Sequence, residues 1–142
     1  MMSSHLVILK KPYLDMILTG RKRIELRLHK TRRPAFGRVR AGDRLFLKVS
    51  SGPVCATATA EQVKSFESLT PEKILEIKRL YNHDIGGSDE YWQDRMDCKF
   101  CLLIWLGDVK TIEPVRIDKK DWRAWVVLAE GKDFGLLKLG RP

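Results

Sequence analysis

Gly20, Lys22, Glu25 and Arg27 place a turn-permissive residue, an ammonium, a carboxylate and a guanidinium within eight consecutive positions. Glu25, flanked by cations, is expected to be held as a carboxylate that accepts hydrogen bonds from an exocyclic amine. Lys22 and Arg27 suit phosphate or carbonyl oxygens, Arg27 through its planar fork. In a regular strand Glu25 and Arg27 share a face and Lys22 lies on the other, so Lys22 reaches a common cleft only from the turn that Gly20 permits. The same trio also reads as an ion pair that merely stabilises a strand, worth about 0–1 kcal/mol if exposed.

The charge around these residues is lopsided. Residues 21–40 contain nine Arg or Lys and one acid, Glu25, for a formal +8, while the whole 142-residue chain is +9. Such a run attracts polyanions through summed Coulomb fields and counterion release. It also reads as a solvated, solubilising face. Arg32 and Arg33 fall in a basic loop that ends at Pro34–Gly37, and Lys48, Lys119 and Lys120 are candidates to extend the cationic surface. Arg32, Arg33 and Lys48 therefore join the candidate nucleic-acid contacts.

Positioning these groups requires a frame, and the chain is long enough for one domain with a proper core. Leu6–Leu9 reads as a buried strand. Pro12 opens a short helix bearing Leu14, Ile17 and Leu18, with Gly20 at its left-handed C-cap. From Ile24 the period becomes two, with Ile24, Leu26 and Leu28 opposite Glu25, Arg27 and His29. Gly42-Asp43 starts a turn into a strand with Leu45, Leu47 and Val49, and Ser50-Ser51-Gly52-Pro53 turns it back into Val54–Val63. There Ala56, Ala58 and Ala60 suit a tightly curved small barrel. Thr70-Pro71-Glu72 caps a helix running to about Tyr81, and residues 82–89 read as a loop before a short element with Tyr91 and Trp92. Phe100–Leu106 is a covered strand broken at Gly107-Asp108, Val109–Ile117 another, and Trp122–Leu128 the last. The expected fold is an α+β domain, a small and mostly antiparallel β-barrel with two or three inserted helices, spanning residues 5–128. Residues 129–142 are expected to form a basic, mobile C-terminal tail.

Gly20-x-Lys22-x-x-Glu25-x-Arg27 resembles the GxKxxExR signature of the ASCH (activating signal cointegrator homology) domain family, whose fold is a PUA-like β-barrel. Lys11-Pro12-Tyr13 and Gly42-Asp43-Arg44-Leu45 stand where that family places a Pro-started helix and a Gly-Asp turn. The likeness covers roughly residues 5–115, with only the eight-residue motif specific. It implies an RNA or nucleotide-derived ligand, because PUA-like domains commonly bind RNA. Some bacterial relatives are amidohydrolases acting on N4-acetylcytidine and others are reported as ribonucleases. In the amidohydrolases a Thr nucleophile occupies the position of Glu25, assisted by the Lys matching Lys22. This chain lacks that nucleophile, and their third catalytic residue, a Glu, has no identifiable match.

The remaining features narrow the reading. Tyr91 and Trp92 either offer a stacking face to an unpaired base, worth about 1–3 kcal/mol per base, or cap the barrel as buried aromatics. Trp122 and Trp125 read as core. Cys98-Lys99-Phe100-Cys101 is a single CxxC without two further ligands at zinc spacing, so no metal and no cofactor is expected. Three cysteines argue against a secreted disulfide framework, and neither a signal peptide nor a membrane span is legible. A cytoplasmic protein, or a nuclear one in a eukaryote, is expected, monomeric by default. The sequence expectation is an RNA- or nucleotide-binding module that holds a single-stranded or modified nucleotide in a cleft lined by Lys22, Glu25 and Arg27. The alternative is a hydrolase of a modified nucleoside or of RNA, with Lys22 and Glu25 as the catalytic candidates. A protein-interaction domain with an incidental basic face is a third reading.

Overall fold

A computed structural model describes residues 2–33, 35–117, 123–129 and 132–138. Six strands, β1 (Ser4–Leu9), β2 (Ile24–His29), β3 (Arg44–Val49), β4 (Val54–Phe66), β5 (Phe100–Val115) and β6 (Trp125–Leu128), form one curled sheet in the order β2-β5-β4-β3-β1-β6. β1 runs parallel to β3 and every other pairing is antiparallel. Three helices are inserted: α1 (Lys11–Leu18), α2 (Pro71–Ile85) and α3 (Asp89–Gln93), and a 3-10 turn covers Leu136–Lys138. This is an α+β half-barrel of the expected class. No helix among the described residues is long and apolar enough to cross a membrane.

Local chemistry explains most boundaries. Pro12 lies in the first turn of α1, and Gly20 at φ 82° ends that helix, its N–H donating to the Ile17 carbonyl. The Lys22 N–H reaches back to the Met16 carbonyl, so the chain leaves the helix along a fixed path. The Thr70 hydroxyl accepts from the Lys73 N–H at 3.2 Å to open α2. α2 runs four residues beyond the expected end at Tyr81, because its stop is Gly86 at φ 78° rather than the polar Asn82-His83-Asp84 stretch. Gly107-Asp108 does not end β5 either. β5 continues to Val115, and the ladder with β4 absorbs the irregularity as register shifts, with Asp108 at φ 47°.

The curled face of the sheet packs Val7, Leu45, Leu47, Ala56, Ala58, Ala60, Leu102 and Ile104 against Leu14 and Ile17 of α1. The alanines face this interior, as tight curvature requires. A second cluster joins Ile24, Leu26 and Leu28 of β2 to Ile74, Ile77 and Ile85 of α2 and to Trp92, Cys98 and Cys101. A third holds Leu6, Phe46, Val54, Val126 and Leu128 around the fully buried Leu136. Trp125 is core, as expected from sequence, whereas Trp122, Lys119 and Lys120 lie outside the described residues.

Candidate functional site

β2 and β6 are the two ends of the sheet order, and among the described residues no backbone hydrogen bond joins β2 to β1 or β6. The seam between them is bridged by a side chain. Arg27 donates through Nη2 to the Ile8 carbonyl of β1 at 3.2 Å, and its guanidinium lies 5.2 Å from the Trp125 ring of β6. A cavity of about 400 Å³ opens at this seam, within the range of small-ligand sites. Its walls come from β1, α1, β2 and α3, with Tyr13, Lys22, Glu25, Arg27, Tyr91 and Arg95 among the lining side chains.

Glu25 and Arg27 oppose Ile104 and Leu102 in the β2–β5 ladder, so they point to the curled interior rather than to bulk water. Their strand is therefore covered on both faces, by α2 on one and by the barrel wall on the other, which leaves Glu25 5% exposed. Glu25 Oε2 accepts from Arg27 Nη2 at 2.7 Å and from Arg27 Nε at 3.0 Å. Its other oxygen, Oε1, lies 3.4 Å from Lys22 Nζ. Lys22 is 4% exposed and donates to the Ile24 carbonyl at 2.8 Å and the Ile85 carbonyl at 2.7 Å. Burial holds the Lys22 ammonium below the ordinary lysine value, and Glu25 offsets this only in part. The amine thus ties the turn after α1 to the end of α2, and Glu25 Oε1 keeps acceptor capacity toward the cavity. The β2–β5 register, with the Arg23 carbonyl accepting from Leu106, turns the backbone groups of Leu26 and Leu28 outward to the seam.

The rest of the lining is aromatic and basic. Burial pushes the Tyr91 hydroxyl up to about 12, and the Arg95 guanidinium stacks 3.8 Å from its ring centroid. Burial, then Arg33, Arg27 and Arg95 in turn, lowers His29 to about 4, so its imidazole is neutral at neutral pH.

The structure separates the other candidates. Lys22, Glu25 and Arg27 line one cavity. Gly20 shapes the turn but lies instead at a smaller hollow with Arg21 and Arg23. Arg33 lines a second cavity, while Arg32 stacks on Phe36 at 4.7 Å and approaches Glu67 at 3.8 Å on the surface. Two expectations are corrected. Trp92 offers no stacking face: it is 1% exposed, packed under α2, with its indole N–H donating to Asn82 at 2.9 Å. Lys48 does not extend a cationic surface. Strand alternation turns it away from the barrel interior, where it is buried with its amine donating to the Val49 carbonyl at 3.1 Å. Tyr13, His29 and Arg95 were missed as cleft residues. Tyr13 follows the helix-starting Pro12 and carried a positional signal, whereas nothing local marks Arg95. Cys98 and Cys101 are buried, and burial pushes the Cys101 thiol up to about 12. Among the described residues no group of three His, Cys, Asp or Glu could hold a metal.

A half-barrel of PUA-like type with a polar cleft at its open seam is the class that fold and site define. The ASCH domain model matches residues 7–104, and the chain belongs to that family. The crystal structure of an ASCH protein from Zymomonas mobilis is similar at 14% identity and a TM-score of 0.71, covering 96% of this chain and 94% of that one. A single-residue variant of the same protein gives 16% identity and a TM-score of 0.72, covering 96% and 95%. At such identities the likeness speaks for the fold. No curated protein matches the sequence.

Proposed function

We propose that this protein is an RNA-binding module that holds one unpaired nucleotide in the seam cleft without chemically changing it. The observation that carries the reading is Glu25, a carboxylate 5% exposed at the floor of an open cavity, with one oxygen taken up by Arg27 and the other 3.4 Å from Lys22. A carboxylate so placed accepts from the amino group of a base splayed out of a single strand, the edge on which sequence-specific RNA recognition relies. Tyr13 and Tyr91 supply aromatic surface beside it. Family membership points the same way, since PUA-like domains commonly bind RNA. The use made of Lys22, which directs its protons to two carbonyls and Glu25, supports binding without turnover.

Fluorescence anisotropy on unstructured RNA hexamers tests the reading. With about four phosphates neutralised, log affinity should fall against log salt with a slope of about −3. Glu25→Gln should alter which base is preferred, and mass spectrometry should find the RNA unchanged. Absence of binding at low salt removes the proposal. Product formation that vanishes in Glu25→Gln and Lys22→Ala makes the protein a hydrolase instead.

A further inference from the structure

Beside the seam cleft lies a second cavity of about 460 Å³, and Arg27, His29 and Ala124 line both. Its inner surface is apolar and aromatic, with Phe36, Phe100, Leu102 and Trp125, while Arg33 stands with Arg27 and His29 at its polar side. Phe36 and Phe100 meet edge to face at 5.4 Å, which fixes the orientation of both rings. Resting on the reading of the cleft as a nucleotide site, we propose that the two cavities are consecutive subsites. The unit of RNA recognised is then a dinucleotide, with one base at Glu25, the next against Phe36 and Phe100, and the bridging phosphate at Arg27 and Arg33.

Three features support this division of labour. The cleft presents a buried carboxylate, as reading a base edge requires, whereas the second cavity presents rings and alkyl groups. Stacking on such a surface is sequence-tolerant because every base has a π-face. The shared wall is cationic: Arg27 uses Nε and Nη2 on Glu25 and Ile8, leaving Nη1 without a hydrogen bond among the described residues. Arg33 forms no ion pair among the described residues, and neither does Arg95 on the cleft side of His29. Arg33 and Arg95, without carboxylate partners among the described residues, stand around the neutral imidazole, and together with Nη1 of the Glu25-paired Arg27 they make a wall suited to one diester phosphate. A phosphate there would also offset the repulsion that Arg33, Arg27 and Arg95 exert on the His29 proton.

Calorimetry separates this inference from the reading beneath it. The sixteen dinucleoside monophosphates are titrated alongside the four nucleoside 3′- and 5′-monophosphates, which carry the phosphate but a single base. At least one dinucleotide should bind 10-fold or more tighter than either of its mononucleotides. Phe36→Ala should remove that advantage, a loss of about 10- to 150-fold within the range of one stacked base, and change mononucleotide affinity far less. Arg33→Glu, an exposed change that spares the aromatic slot, should weaken every dinucleotide alike. Equal affinities for mono- and dinucleotides, or an undiminished advantage in Phe36→Ala, overturn the second subsite even while RNA hexamers bind. If hexamers fail to bind as well, both readings fall.

Discussion

Two buried polar clusters touch the same indole and differ in how completely they are satisfied. On one side of Trp125, its Nε1–H donates to His5 Nδ1 at 3.1 Å, and His5 Nε2 in turn meets Asp43 Oδ2 at 2.8 Å. Because an indole can only donate, His5 Nδ1 accepts and Nε2 carries the proton toward Asp43. Asp43 also receives the N–H groups of Ser3 and Arg40, at 3.0 and 2.9 Å. Burial pushes its carboxyl up, but these hydrogen bonds prevail and hold it below the usual range. On the other side of Trp125, Arg27, Glu25 and Lys22 form a cluster that borders a cavity and leaves a carboxylate oxygen and a guanidinium nitrogen with spare capacity. The closed cluster fastens β1, β6 and the Gly42-Asp43 turn, while the open one keeps hydrogen-bonding capacity beside a cavity. Burial of polar groups is common to both clusters; only one of them is incompletely satisfied beside a cavity.

Removing Glu25 should have the largest effect. Glu25→Ala strands Lys22 as a buried cation and Arg27 as a half-buried one and should cost about 3–5 kcal/mol, read from urea unfolding. A loss below about 1 kcal/mol would mean that water reaches the cluster freely and that the contrast with the closed one is false. Asp43→Asn should cost about 1.5–3 kcal/mol, since hydrogen bonds to a charged group are lost. It should change RNA affinity far less than Glu25→Gln does. If it weakens RNA binding as strongly, the two clusters act as one unit through Trp125.

Acid should produce a smaller and graded effect. His29 titrates near 6.5 in the unfolded chain and at about 4 in the folded one, so the unfolded state binds the proton more readily in that window. Stability is intact above about pH 6.5 and declines as pH falls toward 4. His5, lowered mainly by burial, acts in the same direction. Urea midpoints at pH 7 and pH 5 should differ less in His29→Gln than in the parent chain. An identical difference would show that neither burial nor the three arginines hold this ring deprotonated in the folded chain.

Much of the frame was legible because local chemistry and tertiary packing agree there. Alternation around Leu45, Leu47 and Val49, the alanines of β4, the Thr70-Pro71 cap and Gly20 each state their own geometry. The continuity of β5 through Gly107-Asp108 was not legible, because pairing with β4 supplies what the local turn signal denies. For the site, spacing revealed the juxtaposition of Lys22, Glu25 and Arg27. It did not reveal that the polar face of β2 is buried, since alternation reports which residues share a face and not what covers it. Lys48 and Trp92 failed for that same reason. Arg95 and the second cavity arise from segments far apart in the chain.

The seam has a kinetic meaning as well. Residues 44–66 and 100–115 can build most of the ladder by themselves, but Trp125 completes the second cavity, and Ala124 the wall it shares with the cleft, beside a strand formed 120 positions earlier. Closing so long a loop is entropically costly and slow, and comes after the local hairpins. As the chain emerges from the ribosome, the basic motif and the β1 and α1 walls of the cleft exist long before the second cavity can be completed. The second cavity should therefore be completed late and abruptly, when β6 docks, rather than growing with chain length.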